Sequence, residues 1–266
     1  MNRAAEDAFT AAGRAGEPLR DCLVIDAHGH LGPINKFPYV ESTPESLIWA
    51  MDRLGIDQTW VSSTWAAYEN PERAGNDYVL AAQRAFPGRI FAYMALRVGH
   101  PENLIAEMER CCEAGVRAVK IFDPEGLPYN HPHYDDLYAF ANERALPILA
   151  HTWGFELEHL QPAFDKYDRI KWMLAHTGSA EEDRYLALAN DYPHVYLETC
   201  FSLAPRGLME RLVAQVPLEK ILWGSDQLFM SAAHQIGRVL FAKLTPEQKR
   251  AILGENAARI LRGVTP

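Results

Sequence analysis

Eight short, β-rich apolar runs recur along the chain: CLVIDAH (22–28), QTWVSST (58–64), IFAYMAL (90–96), RAVKIF (117–122), LPILAH (146–151), IKWMLAH (170–176), HVYLET (194–199) and KILWGSD (220–226). Each is followed by helical periodicity or a helix-start signal. Thr43 precedes Pro44 as an N-cap, Pro101 falls near a first turn, and Thr245, Pro246 and Gln248 stand in capping-box order. Several runs are almost entirely apolar, as strands are when both sheet faces are covered. Strands alternating with helices predict an α/β fold with a parallel sheet. Eight such units in 266 residues match a (β/α)8 TIM barrel, for which about 250 residues is typical. A doubly wound open sheet is the alternative, but it usually carries a glycine-rich first turn, and DAHGHLG (26–32) is not G-x-G-x-x-G. The reading is therefore one barrel domain over 21–266, with 1–20 as an N-terminal extension.

Charge narrows the partners. The formal net charge of -9 repels phosphate backbones, so nucleic acid is excluded as an expected partner. The first 20 residues contain no uninterrupted apolar segment of signal-peptide type, and no run approaches the roughly 20 apolar residues that span a bilayer. A cytoplasmic location without membrane association is expected. Of the four cysteines, Cys111 and Cys112 share helical spacing with Leu104, Ile105 and Met108 and are expected on a core face. No CxxC or Cys/His finger spacing supports a disulfide framework or a zinc knot.

Active sites of such barrels lie at the C-terminal ends of the strands. The first run ends in Asp26, His28 and His30, the fourth contains Lys120, the fifth ends in His151, the sixth in His176 and the eighth in Asp226. Side chains at i and i+2 of a strand share a face, so His28 and His30 would present their imidazoles to one point. A single histidine after an apolar strand is usually a hydrogen-bonded structural residue. Together, His28, His30, His151 and Asp226 read instead as a shell for Zn²⁺, with Mn²⁺ or Fe²⁺ as alternatives. Asp26 reads as an interior support below them. His176 is a candidate second-metal ligand, base or electrophile. Lys120 is either an ion-pairing lysine near the rim or a carboxylated lysine bridging two metals; the plain lysine is preferred. Arg97 is placed to fork a substrate carboxylate or to make a rim salt bridge. Trp65, Tyr68 and Trp153 are candidates for an apolar substrate wall, with loop packing as the alternative. Glu198, near the end of the seventh run, is placed to orient a neighbour. His131 and His133 form a second HxH but fall in a loop, where a surface or capping role is expected. His100, His159, His194 and His234 have no comparable setting.

The motifs DAHGHLG, VKIF, LAHTWG, LAHTG, LWGSD and ILGENAARIL resemble, in order, those of the amidohydrolase superfamily, in particular its amidohydrolase-2 branch, over about residues 22–262. The resemblance implies a distorted barrel holding a divalent metal. It implies His28, His30, His151 and Asp226 as the metal shell, and His176 as a residue touching substrate or a second metal. Lys120 falls near the position where binuclear members carry a carboxylated lysine. The expected activity is hydrolysis of an amide, lactone or other ester of a small, carboxylate-bearing substrate by a metal-activated water. Asp226 would move the proton and His176 would polarise the carbonyl. The branch also contains non-oxidative decarboxylases resembling those for aminocarboxymuconate semialdehyde and resorcylate. The retained HxH leaves decarboxylation of a muconate-like or aromatic acid as the alternative. A small-molecule-binding barrel without chemistry is the third reading. The expected partner is a small-molecule substrate, and pairing into a homodimer is compatible with barrels of this kind.

Overall fold

The eight apolar runs become the strands of two parallel sheets in the computed structural model, which describes residues 7–32, 41–64, 72–99, 103–122, 126–200, 205–262 and 264. The strands are β1 (Ile25–Leu31), β2 (Gln58–Ser63), β3 (Ile90–Ala92), β4 (Met94–Leu96), β5 (Val119–Ile121), β6 (Ile148–Ala150), β7 (Trp172–Leu174), β8 (Val195–Glu198) and β9 (Ile221–Leu222). The third run forms both β3 and β4, with Tyr93 as the joint. Its N–H donates back to Val61 (2.8 Å), whereas the next N–H, of Met94, donates forward to Ala118 (3.0 Å). Pairing runs β1-β2-β3 and then β4 through β9 in sequence order. Backbone bonds from Ala27 to Trp223 (3.1 Å) and from Asp226 to His28 (2.7 Å), with a parallel bridge between Gly29 and Gln227, lay the chain after β9 alongside β1. The ring of strands thus returns to its start, giving the distorted single-domain (β/α)8 barrel that the alternation predicts.

Helices α1 (Ala8–Ala15), α2 (Pro44–Leu54), α3 (Glu72–Ala85), α4 (Leu104–Glu113), α5 (Asp135–Glu143), α6 (Leu157–Lys166), α7 (Glu182–Asp191), α8 (Leu208–Gln215), α9 (Ala232–Leu240), α10 (Pro246–Arg250) and α11 (Asn256–Ile260) cover the outside. Their starts follow local chemistry. Thr43 and Ser46 form a reciprocal capping box for α2, and Thr245 and Gln248 do so for α10, each with Pro at the first helical position. In α4, Leu104, Met108 and Cys111 are buried while Ile105 and Cys112 are partly buried against the core; all four cysteines are free thiols. Pro101 lies outside the described residues. Helix α1, in the N-terminal extension, is capped by Asp7 and docks on α9 and α10: Lys249, fully buried, donates to Asp7 Oδ2 (2.8 Å), Thr10 Oγ1 (3.1 Å) and the Leu240 carbonyl (2.7 Å). Among the described residues, no helix is long and apolar enough to cross a membrane.

Two cores follow from strand alternation. The larger one lies between strands and helices. The smaller one contains Ile25, Ala27, Trp60, Tyr93, Ala118, Leu149, Met173, Ala175 and Leu222, in or next to the strands, with partly buried Phe91 and Tyr196 packed against them and Ala257 and Ile260 of α11 beside them. These are the positions that point into the barrel. Continuing two residues further along the same faces leads to Ser62, Lys120, His151, Glu198 and Gly224. The polar residues therefore stack on one end of an apolar plug.

Candidate metal centre

Strand β1 carries an irregularity between Asp26 and Gly29 in its pairing with β2. Such a slip changes which side chains face inward. Ala27 stays in the apolar plug, while His28 and His30 join the polar end, their ring centroids 5.1 Å apart. Gly29 is obligatory here, because a Cβ would sit 2.7 Å from Thr59 Cγ2 and 3.2 Å from the Gln227 carbonyl. Asp26 takes the supporting place. Its carboxylate accepts from the N–H groups of His28 (3.1 Å) and Ser225 (2.9 Å), from Ser225 Oγ (2.5 Å) and from Gln227 Nε2 (2.8 Å). It thereby ties the β1 bulge to the loop after β9. Burial pushes its pKa up to about 7, against the pull of these donors.

His28 Nε2 lies 3.6 Å, and His30 Nε2 3.0 Å, from Asp226 Oδ1. The opposite ring nitrogens are engaged elsewhere. His28 Nδ1 meets Glu198 Oε2 at 2.8 Å, and His30 Nδ1 meets Ser62 Oγ at 3.0 Å. His28, donating Nδ1–H to Glu198, turns its Nε2 lone pair to the Asp226 oxygen; the Ser62 hydroxyl can donate or accept, so His30 Nε2 faces the same oxygen either as a donor or, with Nδ1–H toward Ser62, as a second lone pair. Acceptors at these separations repel one another unless a proton, as on His30 Nε2 without metal, or a cation joins them. Two imidazoles and a carboxylate suit a divalent ion of the zinc, manganese or iron type, so the residues present fit the metal that the sequence implies. Lys120 Nζ also reaches this point, donating to His28 Nε2 at 3.1 Å. Burial lowers its pKa to about 8, partly offset by Asp226.

The electrostatics separate acid from base. Burial opposes ionisation of Asp226, but the hydrogen bond to His30 and the neighbouring imidazoles outweigh it and hold the carboxyl well below its usual range. Burial, the largest influence on each ring, lowers the pKa of His28, His30, His151 and His176, favouring neutral imidazoles. Asp226 (φ 59°) and His176 (φ 61°) both adopt left-handed backbone, a conformation that costs a non-glycine residue on the order of 1 kcal/mol or more and gathers at functional sites.

His151 and His176 form the other flank. His176 Nδ1 donates to the Cys200 carbonyl (2.9 Å), so in the neutral ring its Nε2 is an acceptor. His151 Nδ1 lies 3.2 Å from that Nε2 and is its donor. His151 is thus placed beside His176; the compact ligand sets among the described residues are His28, His30 and Asp226, and His28, His176 and Cys200. Cys200 was not singled out from the sequence as a site residue, nor was Ser62. Both contacts cross between strands, but each residue continues the inward face of its strand, and that parity is a signal in the sequence. Aromatic rings frame the polar end: Trp153 stacks on His176 (4.8 Å, 11°), Phe229 on His30 (4.5 Å, 17°), and Phe122 meets His151 edge-on. Arg97 is half-buried just past β4, at the same end of the barrel. Trp65 and Tyr68 lie outside the described residues, as does His100. The second HxH caps a turn, with His131 Nδ1 accepting from the His133 N–H (3.3 Å). His194 donates to the Phe164 carbonyl, and His234 is exposed.

Comparison with known proteins places this barrel. Solved structures that superpose on it include a probable 2-pyrone-4,6-dicarboxylic acid hydrolase from Acinetobacter baumannii (16% identity, TM-score 0.72, covering 90% of this chain and 98% of that one). A dihydroxybenzoic acid decarboxylase from a Polaromonas species, with bound manganese and 2-nitroresorcinol, matches at 16% identity and TM-score 0.73, covering 91% and 97%. A 2,6-dihydroxybenzoate decarboxylase from Rhizobium matches at 15% identity and TM-score 0.72, covering 92% and 99%. At these identities the likeness is one of fold. A search of curated proteins found no match. The amidohydrolase family profile matches residues 25–263, nearly the whole barrel and every strand of it, and the chain belongs to the amidohydrolase family.

Proposed function

We propose that the protein is a metal-dependent hydrolase that cleaves an amide, lactone or other ester bond of a small, carboxylate-bearing substrate. The observation that carries this reading is the convergence of His28 Nε2, His30 Nε2 and Asp226 Oδ1 on one buried point, with both Nδ1 atoms engaged elsewhere. These three residues would hold the ion, with His151 beside them. Zinc is the first candidate, and the manganese in the Polaromonas structure supports keeping that metal in the trial. A divalent ion held there supplies Lewis acidity and a lowered water pKa.

The chain's own residues divide the remaining work. Asp226, held ionised, accepts a proton at Oδ and returns it to the leaving group. His176 was expected to polarise the carbonyl. Its Nδ1 bond to a carbonyl makes the neutral ring a proton acceptor at Nε2, so a base role fits it better. Lys120 Nζ is the donor at hand for developing negative charge. Trp153 and Phe229, stacked on two of the imidazoles, exclude water and offer flat walls. Arg97 is proposed to engage a substrate carboxylate.

Those flat walls also favour a second reading, non-oxidative decarboxylation of a planar acid, the reaction named for two of the superposed structures. One experiment separates the two. Metal-stripped protein is reloaded with Zn²⁺ or Mn²⁺ and offered lactones, amides, esters and aromatic or muconate-like acids in ¹⁸O-water. The hydrolase reading expects ¹⁸O in the product carboxylate. CO₂ release without ¹⁸O incorporation supports the decarboxylase, and no turnover with any metal counts against both.

A further inference from the structure

Glu198, wholly buried at the end of β8, touches more of the metal centre than any role assigned above requires. Its Oε2 accepts from His28 Nδ1 (2.8 Å) and from the Cys200 thiol (3.1 Å). Its Oε1 accepts from the Cys200 backbone N–H (2.6 Å). The carbonyl of Cys200 then accepts from His176 Nδ1 (2.9 Å). On the outer side, Arg238 Nη1 donates to the carbonyl of Thr199 (2.5 Å) and holds the intervening peptide. The carboxylate reaches this position because residue 224, on the neighbouring strand's inward face, is glycine. A Cβ on Gly224 would lie 2.5 Å from Glu198 Oε1 and 2.7 Å from His28 Cβ.

We propose that Glu198 is a positioning residue that sets the tautomers of two imidazoles borne by two other strands. It acts on His28 directly and on His176 through the Cys200 peptide, with Gly224 providing the clearance. A neutral imidazole carries one proton, and a carboxylate or a carbonyl accepts only. With Glu198 ionised, both rings are fixed as Nδ1–H, and both Nε2 lone pairs turn toward the site. Carboxylate partners of metal-bound histidines typically affect metal affinity about 10- to 100-fold. That consequence rests on the metal-centre reading above; the tautomer assignment does not.

The test uses the full chain with ¹⁵N-histidine in chelator-treated buffer. Long-range ¹H–¹⁵N spectra assign the tautomers of His28 and His176. Wild type is expected to show Nδ1–H at both. Glu198→Gln keeps the shape but cannot accept at both oxygens, and Gly224→Ala pushes the carboxylate away. Each variant is expected to mix the His28 tautomers and, by competition with a chromophoric chelator, to weaken Zn²⁺ binding about 10- to 100-fold. A purely structural buried glutamate would lower the unfolding midpoint and leave the tautomers unchanged. Nε2–H at His28 in wild type overturns the proposal without any variant. So do folded variants with wild-type tautomers and Zn²⁺ affinity. If wild type binds no Zn²⁺, the metal reading fails, and the tautomer spectra alone decide this one.

Discussion

Lys120 shows how far a single residue can be moved from its solution behaviour. Its ammonium is buried beside His28, and burial brings its pKa from 10.5 to about 8. The cost of burying the charge is present below pH 8. It is relieved as pH rises toward 10.5, because in that window the unfolded chain binds a proton the folded one does not. Comparison with Lys120→Met isolates this contribution. In chelator-treated buffer, denaturant unfolding should show wild-type stability rising relative to the variant by about 3 kcal/mol between pH 8 and 10.5. A flat difference would mean that the lysine titrates normally. Legibility at this scale was uneven. His28 and His30 stand out because i and i+2 share a face, even though a bulge, which no spacing reveals, is what turns them inward. Ser62 and Cys200 carry only the signal of strand parity, which places them on the inward face but does not say what they touch until the neighbouring strand is known.

Helix starts are legible in the sequence, since caps and periodicity are local. The boxes at Thr43 and Thr245 sit where the sequence puts them. Thr245→Ala removes the acceptor for the Gln248 N–H (3.3 Å) at the start of α10. It should cost about 1 kcal/mol, read as a lowered urea midpoint with an unchanged slope. Strand extents were less legible. The sequence places the first run at 22–28 with His30 at its end, whereas β1 begins only at Ile25 and continues to Leu31 because pairing with β2 extends to Ser63. The third run was read as one strand and is broken at Tyr93, whose neighbours pair with different strands. Both departures arise from partners distant in sequence, which a periodicity argument cannot see.

At the scale of the whole molecule, the N-terminal extension is part of the barrel's support. Lys249, on a helix near the C-terminus, depends on Asp7 and Thr10 for its compensation. Asp7→Ala should lower unfolding free energy by about 1–2 kcal/mol in urea titration, more than a surface change would, because it leaves a buried ammonium short of an anion. Barrel closure does the larger work. It brings β1 and the loop after β9 side by side, and so places Asp226 against histidines almost 200 residues away in the chain. The account stands or falls on that meeting point. Crystals of protein grown with Mn²⁺ or Zn²⁺, measured across the metal's absorption edge, test it directly. The account predicts an anomalous peak about 2.0–2.3 Å from His28 Nε2, His30 Nε2 and Asp226 Oδ1, absent from Asp226→Asn crystals. A peak confined to His28, His176 and Cys200, or no peak at this end of the barrel, would contradict it.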